Sequence, residues 1–236
     1  PAPRPGVPAY RDTGAPTYPR TGAPARVPAD PIWGPGGWAA EMLDIPARRT
    51  LGLRGEGVTV AILDGGFNTL HPDLTGARGL AQRDFVYGDS VVRDQPGERQ
   101  GEMAHGTAVW SLIGARTEGL ILGGAPDAGF ILAKTEYGPT ETRAEEDNWV
   151  AAIEWAAGLG ADIVSSSLGY LTFDDGSGYG SDQLTGDIAV TTVAADSAAR
   201  RGILVVVSAG NGGPAARTIG TPADGDSVVA VGAVDS

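Results

Sequence analysis

The chain contains no cysteine, which excludes disulfide staples and thiolate metal sites and leaves the redox compartment undetermined. It also lacks any apolar run of about 18 residues, so no membrane-spanning helix is encoded. Aromatic residues make up only 6% of the 236, whereas glycine reaches 37, a balance suited to tight strand-to-helix turns and close backbone packing. Basic residues are few. Lys134 is the sole lysine among 17 Lys and Arg, set against 29 Asp and Glu, for a net charge of -12. Phosphate recognition needs a basic face, so nucleic acid is excluded as a partner, and the acidity reads as solubility. Neither an initiator Met nor a signal-peptide core precedes Pro1, which reads as a processed or cut end.

What is there is enough chain for one large α/β domain. Residues 1–37 are rich in Pro, Gly, Ala and Arg without apolar period, and read as an extended arm or linker that Tyr10, Tyr18 and Trp33 would dock. A helix is expected from Trp38 to Arg49. Beyond residue 57, strands are predicted at 58–63, 83–86, 129–133, 162–166, 203–207 and 228–231, and helices at 105–115, 144–159 and 187–201. Ile203-Leu204-Val205-Val206-Val207 is apolar throughout, the pattern of a parallel strand covered on both faces. In helix 144–159, Trp149, Val150, Ile153 and Ala157 lie to one side, leaving Glu145, Glu146 and Glu154 for solvent. Strands alternating with helices predict an α/β fold: a doubly wound, mostly parallel sheet with helices on both faces. Ligands bind such sheets beyond the carboxyl ends of strands, where Asp64, Ser167-Leu168-Gly169 and Ser208-Ala209-Gly210-Asn211 fall.

Asp64 closes the run Val58-Thr59-Val60-Ala61-Ile62-Leu63 and precedes Gly65-Gly66; His105, one of two histidines, opens His105-Gly106-Thr107-Ala108-Val109. An Asp that fixes the tautomer of a His supplies two members of a nucleophilic triad. Taken singly, Asp64 reads as a turn-forming residue and His105 as a helix cap or core histidine. Gly106 allows another chain or a substrate to approach closely, and positions 108, 109, 112 and 113 would seat the helix. His71 before Pro72-Asp73-Leu74 reads as a turn residue ahead of a helix start. Asn211 reads either as part of a Gly/Asn turn or as an amide aimed at a developing oxyanion.

Those blocks, in that order, resemble the subtilisin-like serine peptidases (subtilases). The similarity rests on Val60-Ala61-Ile62-Leu63-Asp64-Gly65-Gly66, His71-Pro72-Asp73-Leu74, His105-Gly106-Thr107-Ala108-Val109, Ser166-Ser167-Leu168-Gly169, Ser208-Ala209-Gly210-Asn211-Gly212, and Thr221-Pro222-Ala223 leading into Val228-Val229-Ala230-Val231-Gly232-Ala233-Val234. It implies that Asp64 orients, that His105 is general base and acid, and that Asn211 donates to the oxyanion. Ser167-Leu168-Gly169 and Ser208-Ala209-Gly210 would line the substrate cleft and pair with an extended peptide. It also implies a peptide or protein substrate, a pro-segment as partner, secretion or a cell-envelope location, no cofactor for the chemistry, and structural Ca²⁺, for which Asp174-Asp175-Gly176 offers oxygen ligands; a solvated acidic loop is the plainer reading of 172–196.

Three departures stand out. Gly65 occupies a place where many subtilases carry Ser or Thr, and Ala108 one where many carry His. The third concerns the nucleophile: the Gly-Thr-Ser block that bears it follows the Val-Gly-Ala-Val strand in the family, and here Gly220-Thr221 is followed by Pro222. The expectation is therefore a domain over 38–236 that stops before the nucleophile. A catalytically dead, peptide-binding relative is the alternative. A nucleotide-binding domain using Gly210-Asn211-Gly212-Gly213 is weaker, because the glycine spacing is wrong and no acidic residue stands about 20 positions on at a strand end.

Overall fold

The computed structural model describes residues 31–213 and 218–233. A 3-10 turn, Pro31–Gly36, leads into α1 (Gly37–Met42) and α2 (Ile45–Thr50). Then follow β1 (Thr59–Asp64), a 3-10 turn at Pro72–Leu74, β2 (Arg78–Asp84) and α3 (Met103–Gly114). A small hairpin of β3 (Arg116–Thr117) and β4 (Ile121–Leu122) precedes β5 (Gly129–Lys134) and α4 (Arg143–Gly158). The described chain ends with β6 (Ile163–Ser166), α5 (Val190–Arg200), β7 (Leu204–Ser208) and β8 (Val229–Val231).

Six strands form one sheet in the order β2-β5-β1-β6-β7-β8, with every pairing parallel. Alternate residues of β1 and β5 feed opposite cores, which is the doubly wound arrangement. Ala61, Leu63, Ile131 and Ala133 meet Trp149, Ile153 and Ala156 of α4, with Ala195 and Ala198 of α5 in the same cluster. Val60, Ile62, Phe130 and Leu132 meet Trp110 of α3, together with Phe67 and Leu74. The strands at the centre are therefore apolar on both faces.

On the α3 side the covering is incomplete. Register carries Ile62 to Ser165 and Val206, and Val60 to Ile163 and Leu204. None of these four partners is buried, and Leu204 is 48% exposed. Val229 and Val231 in β8 are 46% and 52% exposed. The apolar run 203–207 is thus covered on one face only among the described residues, where the sequence pattern had implied both.

Other differences have local causes. The helix expected over 38–49 is two short pieces, because Asp44 adopts left-handed backbone (φ 56) and Pro46 follows. The strand expected at 83–86 runs earlier, over 78–84; it is a polar edge strand that pairs only with β5. Helix α3 is seated by Gly106, Trp110 and Gly114, while Leu112 is 70% exposed. Glu145 and Glu146 are buried rather than solvated. Glu145 accepts the Thr142 and Tyr137 N–H groups at 2.6 and 3.0 Å, and Glu146 accepts from Arg143 and the Tyr179 hydroxyl, both at 2.8 Å. Trp33 is buried, and Gly119 N–H bonds Ile32 O at 2.8 Å, so the 31–36 turn is docked on the fold; Tyr10 and Tyr18 lie outside the described residues.

The same acidic region sets a pH dependence. Burial, reinforced by neighbouring carboxylates, raises Glu136 to about 8 and Glu141 to about 7, even though Tyr170 and Thr135 hydroxyls donate to Glu136. The folded protein keeps two protons that the unfolded chain releases near 4.5. Stability from these groups is therefore full below about pH 4.5 and is lost as pH rises through about 7–8. Urea denaturation across that window should show this decline, and Glu136→Gln should flatten it. An unchanged slope in the Gln variant would assign the decline to other groups.

Candidate active site

β1 delivers Asp64 to the carboxyl edge of the sheet, and the first turn of α3 delivers His105 to the same place. His105 Nδ1 lies 2.9 Å from Asp64 Oδ1 and 3.0 Å from Oδ2. Gly65 N–H donates to Oδ1 at 2.8 Å. The carboxylate is 1% exposed and the imidazole 62%. One ring nitrogen is thus held from behind while the rest of the ring faces solvent. Burial pushes the Asp64 pKa upward, and the His105 hydrogen bond and charge oppose that shift.

The approach of the two elements depends on Gly106. A Cβ there would sit 2.2 Å from Gly66 O and 2.9 Å from the Asp64 Cβ. The bare Cα serves contact within the chain, not the approach of another chain or a substrate. Thr107 ties the turn from the other side, because its hydroxyl accepts Asn68 N–H at 2.7 Å and donates to Met103 O. His71 caps the Pro72–Leu74 turn, its Nδ1 accepting Asp73 N–H at 3.4 Å.

The remaining candidates stand at neighbouring strand ends. Ser167, Leu168 and Gly169 follow β6; Leu168 leans on the core and Gly169 is exposed. Tyr170 then bridges to Thr221 through paired backbone bonds of 2.8 and 3.0 Å. Ser208, Ala209 and Gly210 close β7, with Ala209 N–H on Val231 O at 2.9 Å and Gly210 N–H on Ser208 Oγ at 3.0 Å. Asn211 is exposed just beyond. The sheet order places β6 beside β1 and β7 beside β6, so both blocks lie on one side of Asp64.

No serine hydroxyl among the described residues hydrogen-bonds His105. Ser166 Oγ accepts Trp149 Nε1–H at 2.9 Å, and Ser111 and Ser197 donate to carbonyls of their own helices. Nor do the described residues include three His, Asp or Glu side chains grouped for a metal. Asp174 accepts Glu141 N–H at 3.1 Å and Asp175 accepts Ser177 N–H at 2.8 Å. Asp174 thus ties its loop to the segment before α4, and Asp175 closes a local turn. Asp196 is not on the loop; it is buried in α5 and accepts Ser227 N–H at 2.9 Å.

The sequence reading missed the groups on the far side of the pair. Lys134, at the end of β5, is 1% exposed, with Nζ 2.8 Å from Glu98 Oε2 and 3.2 Å from Asp84 Oδ2. Burial lowers its pKa, but the two carboxylates more than restore it. A sole lysine closing an apolar run was the available signal. Glu102 and Glu136 also lie here.

A carboxylate–imidazole pair thus stands at the carboxyl edge of the doubly wound parallel sheet of an α/β protein. The chain belongs to the subtilase family, whose model matches residues 55–236. It is 36% identical over 186 residues to the minor extracellular protease Vpr of Bacillus subtilis (strain 168), covering 78% of this chain and 21% of that protein. It is 32% identical over 203 residues to subtilisin E of the same organism, covering 84% and 46%. The chain therefore spans less than half the length of either relative. Among solved structures, sphericase superposes with a TM-score of 0.57 at 28% identity, over 75% of this chain and 53% of that one.

Replacing Gly106 by Ala should separate the pair and destabilise the fold by about 1–3 kcal/mol, the usual cost of overpacking. Thermal melting reads the stability, and the NMR shift of the His105 Nδ1 proton reads the pair. A variant with native stability and an intact Nδ1–H signal would show that the helix start can back away from β1.

Proposed function

We propose that this protein is a serine endopeptidase of the subtilisin type, with its nucleophilic serine supplied by chain outside these 236 residues. The Asp64–His105 pair carries the reading. Ionised Asp64 accepts the Nδ1 proton, which leaves the Nε2 lone pair on the exposed side of the ring. His105 then takes the serine proton as the oxygen attacks the peptide carbonyl, and returns it to the leaving amine when the C–N bond breaks. Water repeats the cycle on the acyl-enzyme. Asp64 is not protonated at any step: a buried carboxylate with few donors is costly alone, so it favours the imidazolium that forms beside it. Asn211 donates to the oxyanion, and the 167–169 and 208–210 backbones hold the peptide in extended form.

The uncovered strip on the α3 side supports the placement of the nucleophile. Partly exposed Val206 and half-exposed Val229 give it an apolar floor, where one more helix would pack and reach His105. That missing segment, or a pro-segment, is the expected partner. Secretion or a cell-envelope location is proposed from the relatives, one of which is described as an extracellular protease.

The test compares the 236-residue chain with the longest natural protein that contains it, on one quenched peptide. The long form should cleave, the short form should not, and His105→Ala should abolish cleavage in the long form. Cleavage that survives this substitution would remove the triad reading, and peptide binding without cleavage would mark a dead relative. In the active form, Asn211→Ala should lower kcat by roughly 10²–10³ with KM nearly unchanged, a size carried over from a subtilisin oxyanion donor. A raised KM with kcat intact would make Asn211 a substrate-positioning residue.

A further inference from the structure

We infer that Asn211-Gly212 is a self-modification site, at which the Gly212 backbone nitrogen attacks the Asn211 side-chain amide and turns Asn211 into aspartate and isoaspartate. Its effect on activity rests on the peptidase reading, in which Asn211 is the oxyanion donor; the modification itself does not. The Gly212 nitrogen, having lost its proton to solvent, bonds to Asn211 Cγ. The Cγ–Nδ2 bond breaks, Nδ2 leaves as ammonia, and a cyclic succinimide remains. Water opens the ring at either carbonyl. The net change is amide plus water to carboxylic acid plus ammonia.

The chain has three asparagines, and the other two are protected. Asn68 Oδ1 accepts Leu70 N–H at 3.1 Å, and the nitrogen that would attack it, Thr69 N–H, donates to Phe67 O at 3.0 Å. Asn148 Nδ2 donates to Thr135 O at 3.2 Å, and the following residue, Trp149, is inside α4. Asn211 is exposed, and neither its side chain nor the Gly212 N–H takes part in a hydrogen bond among the described residues. Gly210, just before, is held in left-handed backbone (φ 87) with its N–H on Ser208 Oγ at 3.0 Å. The chain is thus fixed up to the asparagine, while the next peptide unit is free to turn onto the amide. The glycine at 212 is set by packing, because a Cβ there would lie 2.8 Å from the Thr218 Cβ and 3.2 Å from Thr218 O. An oxyanion donor at 211 and a glycine demanded at 212 together place an unshielded nucleophile beside its target, where proximity favours reaction. As a carboxylate, residue 211 has no N–H to donate and sets a negative charge against the developing oxyanion.

The experiment ages the longest natural protein at mildly acid and at alkaline pH, both as the active chain and as His105→Ala, which cannot digest itself. Circular dichroism checks that the fold is kept. Mass spectrometry of the tryptic peptide 202–217, released at Arg201 and Arg217, should show amide becoming acid with isoaspartate present, faster at alkaline pH, while Asn68 and Asn148 are unchanged. In the active chain, residual kcat should follow the unconverted fraction with KM nearly constant. Asn211→Asp made directly should match the aged end point, a loss of roughly 10²–10³. Gly212→Ala should slow conversion by roughly 10-fold or more, since its Cβ shields the nitrogen and shifts the turn; should that variant fail to fold, the isoaspartate measured on the parent chain decides alone. No conversion in folded protein, conversion no faster than at Asn68 and Asn148, or acid without isoaspartate would overturn the site. Conversion that leaves kcat intact would overturn the loss of the donor and keep the modification. If the long chain cleaves nothing, the masses still decide the site, and only the peptidase reading falls.

Discussion

The distance between the first turn of α3 and the end of β1 governs the whole site. Helix and strand touch at Gly106, where a single Cβ would collide with Gly66 O and press on Asp64. That contact fixes where His105 starts and which ring nitrogen faces the carboxylate. It also sets the burial of Asp64, since the helix start is part of its roof. Trp110 continues the contact one turn further on, packed edge-on against Phe130 and Phe67. The hydrogen bond of 2.9 Å is thus the visible end of a packing arrangement that runs down one face of the sheet.

The two faces of that sheet are unequal. On the α4–α5 side, alternate residues of β1, β5, β6 and β7 all find helical partners. On the α3 side, cover stops near β1, and the row continuing through β6 and β7 is open. An apolar row of that kind is a surface for further protein. Asp64, His105 and the strand-end blocks 167–169 and 208–210 all border the open half.

Asp64, His105 and the strand-end blocks were legible in sequence because each combines a long apolar run or helix period with a glycine at a fixed offset. The parallel sheet was legible for the same reason. Local pattern failed where a third layer intervenes. Glu145 and Glu146 sit on the polar side of α4 by periodicity, yet the 170–180 loop folds over them and supplies Tyr179. The pattern puts β2 too late, at 83–86 rather than 78–84, because an edge strand needs no apolar alternation when only one neighbour binds it. The break at Asp44 needed a left-handed residue, which sequence allows at many positions and requires at few.

Three carboxyl groups within this region share one environment and differ in their donors. Asp64, Glu102 and Glu136 are each raised by burial before any other influence. Asp64 receives an imidazole and a backbone N–H, both of which oppose the upward push of burial. Glu136 receives two hydroxyls, which satisfy it without countering its charge, and the group holds its proton to about pH 8. Glu102 meets the Gly138 backbone N–H, with Lys134 and Arg99 as neighbouring charges. Burial alone would make all three protonated and inert; the donors available to each separate them. Where the protein provides a titrating donor, as at Asp64, the imidazole can carry the countercharge. Where it provides neutral ones, the carboxyl is part of the frame. Where it provides a single backbone N–H beside two basic side chains, as at Glu102, burial still outweighs them and the carboxyl stays raised.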